Sequence, residues 1–165
     1  MMNNNGAKNH NVEKINIVRC SSTEMDQLRI ILIEGFGKEY TGIIPWFDQH
    51  KEEFNSDIRP VWLLILNKKI IGFYIAHVIN KNRLKGNALY VKPEYRCNGY
   101  GDLLITTVEN FVKSNGMKII YFSIFSDLEG TVKFFQKRGY IAVRQFRDRE
   151  NSSKMRLLME KEVCS

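Results

Sequence analysis

Apolar residues recur along this chain with two alternating periods, and each switch of period marks a new element. Over residues 14–20 (KINIVRC), Ile15 and Ile17 stand between polar neighbours, as in a first strand. The next stretch, MDQLRIILIEGF, repeats apolar positions at helical spacing and stops near Gly35 and Gly37. Ser21 and Glu24 precede it at the spacing of a capping box. A shorter helix follows over 45–55, with Pro45 at its first position, where a missing N–H is tolerated. Residues 61–66 and 70–79 are β-branched and aromatic-rich, and the polar Asn67-Lys68-Lys69 between them reads as a hairpin turn. After a polar turn over 81–86 comes a strand over 87–91. An amphipathic helix over 99–113 then ends near Gly116. The chain closes with a strand over 117–125, a helix over 127–137 stopped by Gly139, and two strands over 140–146 and 154–160.

The resulting order, βααβββαβαββ, predicts an α/β fold: a central mixed sheet with helices on both faces. A length of 165 residues fits one domain, expected over 14–165, behind a polar, disordered lead-in over 1–13. No apolar run approaches a membrane span, and the amino terminus carries no secretory h-region, so the expected location is cytoplasmic. Cys20, Cys97 and Cys164 are scattered without metal-ligand spacing, so they read as plain thiols, and no metal is expected. The net charge of +7 suits nucleic acid, an acidic substrate or a polyanionic cofactor. Its densest cluster, Arg144, Arg147 and Arg149, is interleaved with Asp148 and Glu150, which reads as a solvated hairpin rather than a phosphate-tracking arm.

The chemistry concentrates between Leu89 and Leu104. A strand stops at Pro93, a loop with Arg96, Gly99 and Gly101 intervenes, and a helix begins. Unpaired amides at a helix start, with the positive end of its dipole, make an anion site, and glycines let the backbone approach phosphate oxygens. The loop has neither the Gly-Lys-Ser/Thr of a Walker loop nor the first glycine of a dinucleotide fingerprint.

Residues 91–101 resemble the pyrophosphate loop of the GNAT acetyltransferase family, Arg/Gln-x-x-Gly-x-Gly/Ala. Phe134-Phe135-Gln136-Lys137-Arg138-Gly139-Tyr140 is similar to that family's second signature, an aromatic pair followed by Lys, Gly and an aromatic. The element order matches as well, so the resemblance covers roughly 14–160. It implies a mostly antiparallel sheet of the acyl-CoA N-acyltransferase type, splayed between its fourth and fifth strands, with acetyl-CoA as cosubstrate in the gap. Main-chain groups of Leu89, Tyr90 and Val91 would pair with the pantetheine arm. Amides of Cys97, Asn98, Gly99, Tyr100, Gly101 and Asp102 would hold the pyrophosphate, with Arg96 adding charge. Phe134 and Lys137 would flank the arm and the nucleotide end. The implied reaction is direct attack of a primary amine, on a small molecule or a protein, at the thioester carbonyl. A strand N–H near Val91 would polarise that carbonyl. Cys97 then serves through its backbone, not as a nucleophile. Such folds often form homodimers, on which these residues are silent.

The sequence departs from the family where proton transfer is concerned. The second member of the aromatic pair is often a Tyr acting as general acid, and here it is Phe135. Fourth-strand positions that hold an acid or His in some members read Lys85 and Asn87, and a fifth-strand Glu position reads Ser123. Candidate replacements are Glu34 at the end of the first helix, Tyr90 beside the thioester strand, and Asp127 at the fourth helix. Their plainer readings are a solvated helix end, a packed strand tyrosine and an N-cap. His77, in an apolar strand, reads as a core histidine. A desolvated amine can also shed its proton to solvent, leaving positioning to supply most of the rate. Acceptor recognition falls to 34–55 and the last hairpin, where Tyr40, Trp46 and Phe47 mix with Asp48, Glu52 and Glu53 in a way compatible with a cationic amine.

Two other function classes fit parts of the sequence. A non-catalytic acyl-CoA-binding or regulatory module is favoured only by Phe135, and retained cofactor binding without transfer identifies it. Nucleic-acid binding is suggested by charge alone, and dispersed basic residues oppose it. The expected partners are therefore acetyl-CoA and an amine acceptor, with neither nucleic acid nor membrane.

Overall fold

Three central strands are apolar on both faces, so both faces need cover, and that requirement sets the architecture. A computed structural model describes residues 14–38 and 40–163; the expected lead-in and Cys164 lie outside them. The elements are β1 (Ile15–Arg19), α1 (Met25–Phe36), α2 (Ile43–His50), β2 (Val61–Leu66), β3 (Lys69–Asn80) and β4 (Arg83–Val91). They continue as α3 (Tyr100–Ser114), β5 (Ile119–Phe125), α4 (Glu129–Gln136), β6 (Ile141–Arg147) and β7 (Met155–Glu162). This is the expected βααβββαβαββ order. The seven strands form one sheet in the order β1-β2-β3-β4-β5-β7-β6, antiparallel throughout except where β4 meets β5.

Each face has its own core. Leu28, Ile31 and Leu32 of α1 and Phe47 of α2 pack on Leu63, Phe73, Ile75, Ala88 and Tyr90. On the opposite face, Leu104, Ile105, Val108 and Val112 of α3, with Phe135 of α4, cover Leu64, Tyr74, Leu84, Ile120 and Phe122. Among the described residues, no helix is long and apolar enough to cross a membrane.

The expected capping box is present: Glu24 accepts from the Ser21 amide at 2.9 Å. So is the hairpin turn, where Asn67 and Lys68 both take positive φ (48° and 67°), the pairing that matches strand twist. Most ends shift by a residue or two, and the second helix stops at His50 rather than 55, followed by a 3-10 turn over Lys51–Glu53; three starts differ for clear physical reasons. Helix α2 starts at Ile43, so Pro45 sits third, which costs nothing because first-turn amides have no intrahelical partner. Strand β4 begins at Arg83 rather than after Gly86, because Leu84 and Gly86 are buried in turn against the α3 layer. Helix α4 begins at Glu129 with Leu128 as its N-cap, so Asp127 is not a cap.

Candidate active site

Strands β4 and β5 touch only at Arg83↔Ile119, Leu84↔Ile120 and Lys85↔Tyr121, and then part. The parting begins at a β-bulge: Ala76 pairs with Gly86 and Ile75 with Ala88, leaving Asn87 as the extra residue. A bulge bends its strand and increases its twist, which carries β4 away from β5. It also turns Ala88 and Tyr90 toward α1 while Leu84 and Gly86 face α3. Beyond the bulge, Leu89, Tyr90 and Val91 remain bonded to β3 on one edge. The alternate amides and carbonyls of the other edge face a cleft of about 1210 Å³. Asn87 lines this cleft, and its side-chain Oδ1 is buried beside it without a partner.

At one end of the cleft, Arg96 and a glycine-containing loop meet the start of α3. After the Pro93–Tyr95 turn, Arg96 Nε donates to the Val91 carbonyl at 2.9 Å, and its guanidinium lies 5.7 Å from the Tyr90 ring centre. Asn98 Nδ2 donates to the Tyr95 and Arg96 carbonyls at 3.2 and 3.0 Å, closing the loop on itself. Cys97 and Gly99 adopt left-handed backbone (φ 62° and 77°) to turn the chain into α3. The first intrahelical bond runs from Leu103 N–H to the Gly99 carbonyl, so the preceding amides project from the helix start. A Cβ on Gly101 would stand 3.0 Å from Phe134 Cζ, so α3 and α4 approach here as closely as glycine allows. The Arg138 guanidinium stacks 3.5 Å from the centre of Phe134 and pairs with Asp102. Lys137, expected at this wall, points into solvent past the end of α4. Arg138 takes its place because it lies one turn beyond Phe134, on the same face. Tyr100 packs its ring against the α3 core and offers only its backbone.

The other end is aromatic and basic. Tyr40 stacks on Phe125 with centroids 5.2 Å apart, and the Arg156 guanidinium lies 4.4 Å from Phe125. Arg156 donates through Nη1 to Ser123 Oγ at 3.0 Å and through Nε to Asp148. The Arg156 guanidinium, helped by the Asn151 and Glu150 amides, holds the Asp148 carboxyl below the usual carboxylate range. Lys154 Nζ also stands over Phe125, 4.7 Å from its ring centre. The acids expected to meet an acceptor do not line the cleft. Asp48 pairs with Arg29, Glu53 with Arg59, and Glu52 is exposed, while Phe47 is core and Trp46 packs on Phe54.

Of the three catalytic candidates, the structure brings two to the cleft. Glu34 is exposed, ion-paired with Lys92 at 3.3 Å, and outside the cleft wall. Tyr90 lines the wall, but its ring is fixed between Phe36 and Phe73 at 5.9 and 5.7 Å. Burial is the main cause that raises its phenol above the ordinary range. Asp127 sits exposed at the rim. His77 is half-exposed rather than core, opposite Lys85 and away from the cleft, and desolvation followed by Arg59 and Lys85 lowers its pKa. Phe135 is buried against Phe122 and Tyr140, with centroids at 4.3 and 5.4 Å. Sequence reading missed Tyr74, Arg138 and Arg156. Spacing from Phe134 could have found Arg138; the other two reach the cleft through tertiary packing that no local pattern records.

Residues 25–140 match the family described as acetyltransferase (GNAT) family. No curated protein sequence matches the chain. Its fold is similar to the ribosomal-protein-S18-alanine N-acetyltransferase of Escherichia coli (TM-score 0.77, 13% identity, 92% of this chain and 96% of that one). It is similar also to an aminoglycoside 6'-acetyltransferase type Ii (TM-score 0.75, 22% identity, 91% and 98%). Arabidopsis thaliana NAA60, solved with acetyl-CoA, superposes at TM-score 0.77 with 13% identity over 91% and 99% of the two chains.

Proposed function

This chain belongs to the GNAT acetyltransferase family and moves an acetyl group from acetyl-CoA to an amine, and we propose how its own residues divide that work. The observation that carries the proposal is the parting of β4 from β5 directly onto a helix-start loop. A free strand edge and an anion site then lie in one continuous cleft.

In this reading the diphosphate of the cofactor rests on the amides of 97–102, where the α3 dipole and Arg96 favour negative charge. The pantetheine arm runs along the open edge of Leu89–Val91, under Phe134. Because β4 leads toward the loop, the reactive end of the arm lies back toward Asn87. The amine enters past Tyr40 and Phe125, and the buried Asn87 Oδ1 accepts one of its N–H groups, orienting the lone pair at the thioester carbon. Among the described residues lining the cleft, the carboxylates are Asp102 and Asp127, and Asp102 is engaged by Arg138. The amine therefore sheds its proton to solvent or to Asp127 at the rim, and positioning supplies most of the rate. We place this activity in the cytoplasm, with acetyl-CoA and the amine as partners and neither nucleic acid nor membrane involved.

Calorimetric titration of acetyl-CoA, with an Arg96→Glu/Gly101→Glu variant alongside, tests the cofactor half. Binding that the variant abolishes is expected; no binding by either protein sinks the reading. Release of the coenzyme A thiol is then followed with an aminoglycoside (kanamycin), an alanine-initiated tetrapeptide and a panel of simple primary amines. Transfer to one of them is expected. Binding without transfer to any would leave an acyl-CoA-binding module.

A further inference from the structure

Collapse of the tetrahedral intermediate leaves an anionic thiolate in the cleft, and Phe135 has no proton to give it. A hydroxyl does reach that part of the wall, from a different element. Tyr74 of β3 lies in the α3-side core, edge-on to Trp62 at 6.3 Å, and is 3% exposed. Its Oη stands 2.5 Å from where a Cβ on Gly86 would be, so it passes over β4 only because residue 86 has no side chain. That same point is 3.3 Å from Phe122 Cβ, and the Phe122 ring is the one Phe135 packs against at 4.3 Å. Tyr74, Gly86, Phe122 and Phe135 thus meet on one patch of the cleft wall, where β4 and β5 begin to part. Among the described residues, no side chain accepts a hydrogen bond from the Tyr74 hydroxyl. Glu109, whose charge reaches it, is engaged by Tyr140 and Lys161 at 3.3 and 2.8 Å. The other phenols of the wall are placed elsewhere: Tyr40 stacks on Phe125 at the far end, and Tyr90 faces the α1 core.

We propose that Tyr74 is the proton donor to the departing thiolate, supplying from β3 the hydroxyl that residue 135 lacks. The inference rests on the acetyl transfer proposed above. The amine nitrogen attacks the thioester carbon and the carbonyl π pair moves to oxygen. As the C=O bond re-forms, the C–S bond breaks with its pair going to sulfur. The Tyr74 O–H proton passes to that sulfur, giving the free thiol. The proton lost by the nitrogen returns through solvent to the phenolate, so the residue ends as it began. Burial, with Glu109 a lesser cause, holds the phenol well above its ordinary range and therefore protonated.

Tyr74→Phe removes the hydroxyl and keeps the ring in the core. Steady-state kinetics with the best amine of the panel should show kcat lower by about 10²-fold, the usual worth of one acid, with the acetyl-CoA Kd unchanged. Adding Phe135→Tyr to that variant should restore at least a tenth of the lost rate. An unchanged kcat overturns the proposal, as does a kcat that falls only in step with acetyl-CoA affinity, which would make the hydroxyl a cofactor contact. A double variant that keeps its fold and cofactor affinity yet regains nothing also counts against it. A wild-type protein that binds acetyl-CoA but acetylates no amine overturns the transfer reading first, and is told apart by that.

Discussion

Two side chains can report occupancy of the cleft one residue at a time. Cys97 is exposed in the loop between Arg96 and Gly99, whereas Cys20 is buried and its thiol is pushed up to about 12, by burial first and Glu24 second. In a Cys164→Ser background, Ellman's reagent should therefore modify one thiol quickly, and saturating acetyl-CoA should slow that reaction at least tenfold. Equal rates with and without cofactor would remove the diphosphate from this loop. Asn87→Ala deletes an unpaired buried amide oxygen, so it should leave the thermal midpoint unchanged or raised while lowering kcat/KM for the amine about tenfold. That factor is the share of a single hydrogen bond. Much of this loop was legible in the sequence because glycine and arginine at fixed offsets report a backbone requirement directly. The Asp102–Arg138 pair was not, since it joins α3 to α4 and depends on the closeness that Gly101 permits to Phe134.

At the scale of elements, the β6–β7 hairpin closes the end of the cleft proposed to take the amine, and its loop hangs on one carboxylate. Asp148 accepts from Arg156, Glu150 N–H and Asn151 N–H, and Arg156 in turn reaches Ser123 and the Phe125 ring. Asp148→Asn should cost about 2 kcal/mol, the worth of hydrogen bonds to a charged group, and should raise the amine KM more than the acetyl-CoA KM. Chemical denaturation and initial rates check the two halves. The pH dependence has a definite sign. Arg156 lowers the folded pKa of Asp148, so its stabilisation is full above the unfolded value near 3.8 and fades as pH falls through the folded one. Wild type should therefore lose more stability than Asp148→Asn on going from pH 6 to pH 3. Periodicity gave this hairpin within a residue or two, because strands and turns are local. It misplaced the start of β4, where Gly86 and Lys85 read as turn residues although their neighbours across β3 hold them in register. It also set Asp127 at a cap that the chain fills with Leu128, since a cap is defined by backbone angles that propensity only approximates.

On the scale of the whole molecule, the net charge of +7 and the placement of the cleft act together. The cationic wall residues Arg96, Arg138, Lys154 and Arg156 lie at both ends of one cavity, against the carboxylates Asp102 and Asp127 among the described residues. A polyanionic cofactor is drawn toward such a surface, and exposed charges are screened over about 10 Å at 0.1 M salt. Amides at a helix start are fixed dipoles in contact with the anion and respond less to salt. Affinity for acetyl-CoA should thus fall on raising salt from 50 to 500 mM. In Arg96→Gln it should start lower and fall less, because the amides of 97–102 remain. Thermal shift reads both arms. At one hundred times Kd, binding to the folded chain alone adds about 2.7 kcal/mol. In a domain of this size each kcal/mol moves the midpoint by roughly 3 °C, so the expected rise is about 8 °C at low salt. If Arg96→Gln keeps the full wild-type salt slope, the charge that steers the cofactor resides elsewhere on the wall, and Arg138 is the next residue to change. If the slope vanishes altogether, Arg96 alone carries the screened part of the attraction. Its bond to the Val91 carbonyl would then serve chiefly to aim that charge down the cleft.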